Sequence, residues 1–315
     1  MPAHTLLPPL PASGERGIWP ALALRAQFAI LPDGRRHFHD GPIDLILQAW
    51  GARADVAYDV AVARFATILD ELCCELPRLR SADGPEPRGV VARRMARAVA
   101  PFAPLRFLTP MAAVAGAVAD EVLTAMTQAA ALDRAYVNNG GDIALHLAPE
   151  ASFTLGMVAR PDRPTLLGKA RISGRDNVRG VATSGWRGRS FSLGIADAVT
   201  VLARTAAEAD AAATLIANAV DLPGHPAIAR APALERDPQS DLGDRLVTLA
   251  VGPLGAREIE RALDGGEREA RLWRGHGLIE AAALSLNGRI RLVGAQANLY
   301  TLGRAALSEP QHAFG

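Results

Sequence analysis

Two alanine-rich segments, residues 111–119 and 206–219, place the strongest constraint on the fold because they carry little side-chain bulk on any face. The dipeptide Thr-Pro at 109–110 precedes the first segment, and Thr205 begins a capping-box pattern before the second. These signals predict two helices, ending near residues 128 and 220. Another backbone or a ligand can approach such helices closely. We therefore expect small residues at packing faces.

Charge and length exclude several classes of protein. The chain has 315 residues, with 34 basic and 33 acidic side chains and a formal net charge of +1. A dedicated nucleic-acid-binding protein usually carries a basic excess, so no nucleic-acid partner is expected. No apolar run approaches the ~20 residues that span a bilayer, so no membrane partner is expected either.

The two cysteines, Cys73 and Cys74, are adjacent and have poor geometry for a bridge that staples a fold. This usage favours a reducing, cytoplasmic location. Both lie on a predicted amphipathic helix, where we expect them to be core residues.

Apolar periodicity and turn signals predict an α+β fold with a mixed, mainly antiparallel sheet flanked by helices. Residues 22–31 and 36–47 indicate two strands, or a hairpin plus a strand, and 224–243 indicates a proline-rich loop. Further strands are predicted at 135–138, 143–147, 153–159, 168–172, 181–183, 198–203, 246–251, 279–286 and 289–293, and further helices at 54–76, 90–99 and 256–263.

Three segments carry candidate chemistry. Gly140-Gly141-Asp142 is either a tight hairpin turn or a set of backbone amides and a carboxylate that face a phosphate. Residues 180–203 combine glycines, hydroxyls, Arg187 and Arg189, which suits either a β-turn or a site for an anionic ligand.

The third segment is the helix predicted at 206–219. Asp210 and Thr214 are four residues apart and share one helix face, with Asn218 one turn further. A carboxylate and a hydroxyl on successive turns can supply two ligands to a hard cation, with phosphates and water completing the shell. A solvated helix face is the alternative interpretation.

Taken in order, four segments resemble a bacterial and archaeal branch of the ApbE superfamily, named for the FAD:protein FMN transferase ApbE. They are MAAVAGAVA at 111–119, NGGD at 139–142, the run from ATSG at 182–185 to SFSLGIADAVTV at 190–201, and ADAAATLIAN at 209–218. The resemblance covers roughly residues 22–295. It implies an ApbE-like, T-fold-related domain at 21–295. The segment 1–20, which contains several prolines, is expected to be a flexible N-terminal tail, and 296–315 a C-terminal tail.

The resemblance also implies site residues. In the transferases that this chain resembles, the residues matching Asp210 and Thr214 hold Mg²⁺ against the pyrophosphate of FAD. Other matched positions imply contacts with a flavin nucleotide, FAD or FMN, at Gly140, Gly141, Asp142, Thr183, Ser184, Gly185, Ser190, Ser192 and Asp197.

Two motifs of the transferases are absent. Ala115 stands where they have a lysine before the glycine of the first helix, and the segment 193–197 lacks their histidine. Because FMN transfer to a protein hydroxyl needs a base, we expect binding of a flavin nucleotide or another phosphate-bearing small molecule with Mg²⁺ rather than that transfer. Whether the protein is a transferase of another kind stays open.

Two other functions remain as alternatives. Relatives in this branch are associated with sulfur or one-carbon metabolism, which implies an enzyme or accessory protein of those pathways. The alanine-rich helices and incomplete motifs also suit a non-catalytic oligomeric scaffold. A homodimer is compatible with each of these interpretations.

Overall fold

The computed structural model describes residues 25–158, 166–294 and 299–301. The predicted N-terminal tail and most of the predicted C-terminal tail lie outside these ranges. Within them, no helix combines the length and the apolar character needed to cross a membrane.

A nine-stranded sheet dominates the described residues, and each of its ladders is antiparallel. In spatial order its strands are β1 (Gln27–Ile30), β2 (Arg36–Asp40), β3 (Ile43–Trp50), β4 (Arg134–Asn139), β5 (Asp142–Leu147), β8 (Gly180–Ser184), β9 (Ala198–Ala203), β12 (Ala281–Leu286) and β13 (Arg289–Gly294). The α+β class with a mainly antiparallel sheet is confirmed.

Two smaller sheets complete the β structure of the described ranges. One contains β6 (Ser152–Val158), β7 (Leu166–Ser173) and β14 (Leu299–Thr301), and the other pairs β10 (Ile228–Pro232) with β11 (Leu246–Val251). The β12–β13 turn has Asn287 at φ 46° and Gly288 at φ 78°, as the Asn-Gly pair predicts for a type I′ hairpin.

The helices of the described ranges are α1 (Ala54–Cys74), α2 (Leu76–Leu79), α3 (Val90–Val99), α4 (Val114–Ala129), α5 (Ala206–Ala219), α6 (Ala233–Arg236) and α7 (Ala256–Gly275). Of these, α1, α4, α5 and α7 pack against strands of the large sheet. Of these, α5 is the most enclosed, because it packs against α4, α7, β8 and β9. Its alanines are buried in the main hydrophobic cluster, as expected of small residues at a packing face.

The start of α4 differs from the sequence prediction. Thr109 does not cap the helix; its hydroxyl donates a hydrogen bond to the carboxylate of Asp241 instead. A 3-10 turn over Pro110–Ala113 follows, and α4 begins only at Val114. The local pattern assigned the Thr109 hydroxyl to the N-terminus of the helix, but the hydroxyl bonds instead to a residue that is distant in the chain.

Three other expectations are corrected. The segment 224–243 contains β10 and α6 rather than only a loop, because β10 pairs with β11. Helix α7 continues twelve residues beyond 263, to Gly275. Cys73 and Cys74 are both exposed, since they lie at the end of α1 and outside its buried stripe.

Candidate functional site

Two aspartates from different elements form the acidic centre of the candidate site. Asp142 opens β5 and accepts a hydrogen bond from the backbone N–H of Thr183 on β8, at 3.3 Å. Asp210 lies in the second turn of α5 and accepts one from the backbone N–H of Gly116 on α4, at 3.1 Å. Both side chains are half-buried. We call Asp142 and Asp210 the carboxylate pair, and the space around them the recess.

The surroundings make ionisation of the carboxylate pair costly. Burial raises the pKa of Asp142 to about 7, against the opposing effects of the Thr183 N–H and the positive charge of Arg189. Burial also raises the pKa of Asp210 well above its usual value, and the charge of Asp142 raises it further. Two carboxylates in this state favour either a proton or a bound cation.

The hairpin turn between β4 and β5 positions Asp142. Gly140 has φ +64° and Gly141 has φ +115°, values that glycine adopts without steric cost. The backbone N–H of Gly141 donates to Asn138 Oδ1 at 2.8 Å. Asn139 then donates from Nδ2 to the carbonyl of Ala115, at 3.1 Å, so the turn is tied to the start of α4. The interpretation of Gly140-Gly141-Asp142 as a tight hairpin turn is therefore confirmed.

Helices α4 and α5 touch backbone to backbone beside the carboxylate pair. A Cβ placed on Gly116 would collide with the carbonyl oxygen of Ala206. The small-residue pattern allows either another backbone or a ligand beside this helix. At Gly116 the neighbour is the backbone of α5. The glycine brings the first turn of α4 within reach of Asp210.

Asp120 was missed by sequence reasoning. Its two carboxylate oxygens accept hydrogen bonds from the backbone N–H groups of Ala206 and Ala207, at 3.1 and 2.9 Å. Thr205 Oγ1 accepts from the N–H of Glu208, at 3.1 Å, which confirms Thr205 as the N-cap. An acidic residue inside an alanine-rich helix was the signal that could have identified Asp120, because such a side chain needs partners.

The other predicted site residues on β8 and α5 lie close to these contacts. Thr183 Oγ1 is 2.9 Å from Thr200 Oγ1 on β9. Ser184 is half-buried at the end of β8, and Gly185 is buried against the backbone of residues 196–197. Thr214 is half-buried one turn after Asp210, and its hydroxyl makes no hydrogen bond to any residue in the described ranges.

The loop from 185 to 197 carries the remaining predicted residues. Ser190 is exposed. Ser192 is buried, where its hydroxyl donates to Asn218 Oδ1 at 3.3 Å and accepts from the N–H of Gly194 at 3.2 Å. These hydrogen bonds stabilise the loop against the end of α5.

Asp197 also stabilises this loop by hydrogen bonds. It is 6% exposed, and its oxygens accept from Arg187 Nε at 2.8 Å and from the backbone N–H of Asn287 at 2.6 Å. It thereby ties the end of the loop to the β12–β13 turn. Ligand contact by Ser192 and Asp197 stays a prediction.

The described histidines have partners elsewhere. Their neighbours are Asp44 for His37 and His39, the Leu132 carbonyl for His146, Glu258 for His225 and the Trp273 ring for His276. Within the described ranges, no group of three or more His, Cys, Asp or Glu side chains is arranged to hold a metal ion. A Mg²⁺ site with one or two carboxylates and substrate phosphates does not need such a group.

An open surface depression lies elsewhere, along α7. It is lined by Ala256, Arg257, Glu260, Arg261, Asp264 and Arg289. Its basic and acidic side chains alternate, and Glu260 also pairs with Arg291.

A mainly antiparallel sheet, packed against two small-residue helices that meet beside a carboxylate pair, places the chain in the α+β class. The profile of the family described as "AbpE bacteria" matches residues 28–292, and the chain belongs to that family. The predicted membership of an ApbE-like family is thereby confirmed.

Curated relatives match over part of their length. A UPF0280 protein of Methanopyrus kandleri is 40% identical over 134 residues, covering 41% of this chain and 48% of the relative. A UPF0280 protein of Methanothrix thermoacetophila is 40% identical over 131 residues, covering 41% of this chain and 52% of the relative. The matched part thus spans about half the length of these relatives.

A solved structure is also similar. The apo form of the Pseudomonas stutzeri flavinyl transferase ApbE matches with a TM-score of 0.43 and 12% identity, covering 87% of this chain and 94% of that one. A likeness of this degree says nothing about ligands or chemistry.

Proposed function

We propose that this protein binds a flavin nucleotide, or another phosphate-bearing small molecule, together with Mg²⁺ at the recess. The observation that carries the proposal is the carboxylate pair, in which the charge of Asp142 adds to burial in raising the pKa of Asp210. Two recessed carboxylates that oppose each other's ionisation are stabilised by a divalent cation.

The donors around the pair fit Mg²⁺ by their chemistry. Asp142 and Asp210 supply carboxylate oxygens, and Thr214, whose hydroxyl has no hydrogen-bond partner in the described ranges, supplies a neutral oxygen. Mg²⁺ prefers hard oxygen ligands and usually retains water or substrate phosphates in its shell. When bound, it would neutralise charge on the phosphate oxygens of the ligand.

The protein's own residues hold this arrangement in place. Thr183 and Gly116 fix one oxygen of Asp142 and one of Asp210 by backbone hydrogen bonds. The β4–β5 turn presents Asp142 next to Gly141, which has open space around it, and Gly140, which the guanidinium of Arg189 covers. Family membership and the ordered motifs support a flavin nucleotide as the first ligand to test.

Transfer of FMN to a protein hydroxyl is not part of this proposal. The partners of the described histidines are Asp44, the Leu132 carbonyl, Glu258 and the Trp273 ring, none of which belongs to the carboxylate pair or its hydrogen-bond donors. The proposed role is therefore recognition of the ligand and its cation, with the reaction left to be identified by the ligand that binds.

Calorimetric titration tests the proposal. FMN, FAD and ADP are each titrated into the wild-type protein with and without Mg²⁺, beside the variants Asp210→Asn and Asp83→Asn. Asp83 is exposed and distant in sequence from the recess residues, so its variant controls for the same change of charge. We expect Mg²⁺-dependent binding to the wild type and to Asp83→Asn, and at least about tenfold weaker binding to Asp210→Asn. Absence of binding by all three ligands, or unchanged affinity in Asp210→Asn, would refute the proposal.

A further inference from the structure

Arg189 reaches from the exposed part of the loop between β8 and β9 to the turn that carries Asp142. A Cβ placed on Gly140 would collide with Nη2 of Arg189, so the guanidinium lies directly over this glycine. Gly140 also has φ +64°, a backbone conformation that disfavours a side chain. The missing side chain at position 140 thus makes room for the cation.

The charge of Arg189 acts on the recess. It opposes the effect of burial on Asp142, which identifies it as the cationic neighbour of that carboxylate. The chain has a single lysine, Lys169, and it lies on β7 in a smaller sheet. Arginine is therefore the residue type that brings positive charge to this end of the large sheet.

Arg187, two residues earlier in the same loop, has a different arrangement. Its Nε donates to Asp197, and its guanidinium stacks over the Trp186 ring at 4.2 Å from the ring centroid. Arg189 is exposed and forms neither a hydrogen bond nor an ion pair with any residue in the described ranges. Arg187 holds the loop, whereas the donors of Arg189 are available to a ligand.

We propose that Arg189 is the anion-binding residue of the recess, contacting the phosphate of the ligand whose cation is held by the carboxylate pair. This inference rests on the proposed function and specifies one of its contacts. A guanidinium matches phosphate geometry with two parallel N–H donors, which makes it suited to this role. Because it lies beside Asp142, the same charge opposes entry of a free cation when no phosphate is present.

Removal of the charge therefore has opposite effects on two probes. Phosphate binding weakens because a charge-assisted hydrogen bond is lost. Binding of a metal ion alone becomes tighter because a positive neighbour is removed from the carboxylate pair. A merely structural role for Arg189 would move both affinities in the same direction.

The test compares wild type, Arg189→Gln, Arg189→Lys and the matched control Arg175→Gln, whose native side chain is 74% exposed and pairs with the exposed Glu150. Affinities are measured by calorimetry for FMN and for riboflavin, which lacks the phosphate, with Mg²⁺ present. Mn²⁺ alone is titrated by electron paramagnetic resonance as a spectroscopic stand-in for Mg²⁺.

For Arg189→Gln we expect a loss of about tenfold or more for FMN and less than about twofold change for riboflavin. Mn²⁺ should bind about two- to fivefold more tightly. Arg189→Lys should recover part of the FMN affinity, and Arg175→Gln should match the wild type.

Equal losses for FMN and riboflavin, or an Arg189→Gln variant with wild-type affinities, would overturn the assignment of Arg189. If the wild type binds neither flavin, the proposed function fails for flavins. The Mn²⁺ titration still decides whether Arg189 acts on the carboxylate pair: tighter binding supports that action, and unchanged or weaker binding overturns it.

Discussion

The carboxylate of Asp210 on α5 accepts a hydrogen bond from the backbone N–H of Gly116 in the first turn of α4, at 3.1 Å. Asp120 on α4 accepts in turn from the N–H groups of Ala206 and Ala207 in the first turn of α5. Each helix therefore supplies an acidic cap to the other, where free amides and the positive end of the helix dipole favour it. The candidate site lies at one of these two caps.

Because the two helices cross closely at Gly116, we expect even the smallest side chain at this position to destabilise the protein. We expect Gly116→Ala to lower the free energy of unfolding by about 2–4 kcal/mol, because its Cβ would collide with the Ala206 carbonyl. Urea unfolding monitored by circular dichroism measures the change. Gly275→Ala, near the end of α7 with open space around it, is the control and should be neutral or stabilising by up to about 1 kcal/mol. Equal effects of the two substitutions would contradict the close crossing.

Asp120 should give stability a measurable pH dependence. Burial raises its pKa from 3.8 to about 6, although the two N–H groups oppose this effect. The native state therefore takes up a proton at a higher pH than the unfolded chain does. The stabilisation that the protonated Asp120 contributes is fully present below about pH 4 and is lost as the pH rises through about 6.

Asp120→Asn removes this titration, so between pH 4 and pH 7 the wild type should lose about 2 kcal/mol more stability than the variant. Urea unfolding at several pH values measures the difference. Asp142 and Asp210 titrate in both proteins. Because the charge of Asp120 also contributes to the raised pKa of Asp210, the measured difference includes that coupling. Parallel pH profiles would show that the pKa of Asp120 is not raised.

We expect substitutions of two threonines to separate an effect on ligand binding from an effect on stability. Thr214→Val removes a hydroxyl with no hydrogen bond to the described residues, so unfolding should change by less than about 0.5 kcal/mol while Mg²⁺-dependent FMN binding weakens several-fold. Thr248→Val removes a buried donor to the Gly194 carbonyl at 2.8 Å and should cost about 1–2 kcal/mol. Calorimetry and urea unfolding of both variants test the contrast, which fails if Thr214→Val binds like the wild type.

We expect substitution of Asp197 to lower the stability of the protein. Asp197→Ala removes the carboxylate that accepts from Arg187 Nε and from the Asn287 N–H, and is expected to cost about 2–4 kcal/mol. Arg175→Ala breaks an exposed pair and should stay within about 0.5 kcal/mol of the wild type. Thermal and urea unfolding measure both effects. A wild-type stability for Asp197→Ala would instead leave ligand contact as the main role of this side chain.

Local patterns predicted the elements whose signals lie within a few residues. The Asn287-Gly288 turn and the Thr205 cap are of this kind, because the partners are neighbours in the chain. The prediction at Thr109 was wrong because its hydroxyl bonds to Asp241, which no local pattern indicates. The short strand β10 was missed because its partner β11 determines it.

The site required information that spacing alone does not contain. Asp142 and Asp210 are on elements far apart in the chain, and only the resemblance to a family placed them together before the structure did. The proximity of Arg189 to Gly140 was not predicted, since it depends on the path of the loop between β8 and β9. Side-chain chemistry could be predicted from the sequence, whereas these distances depend on tertiary packing.

The order of strands in the large sheet has a consequence for folding kinetics. Each neighbouring pair in that sheet also follows in chain order, with the smaller sheets formed by the strands left out. The longest closure is between β3 and β4, which are separated by α1 to α4. Because closure of a long loop costs entropy before contacts compensate for it, we expect this pairing to be a late step. Pulse-labelled hydrogen exchange should then show β4 amides protected later than those of the β12–β13 hairpin.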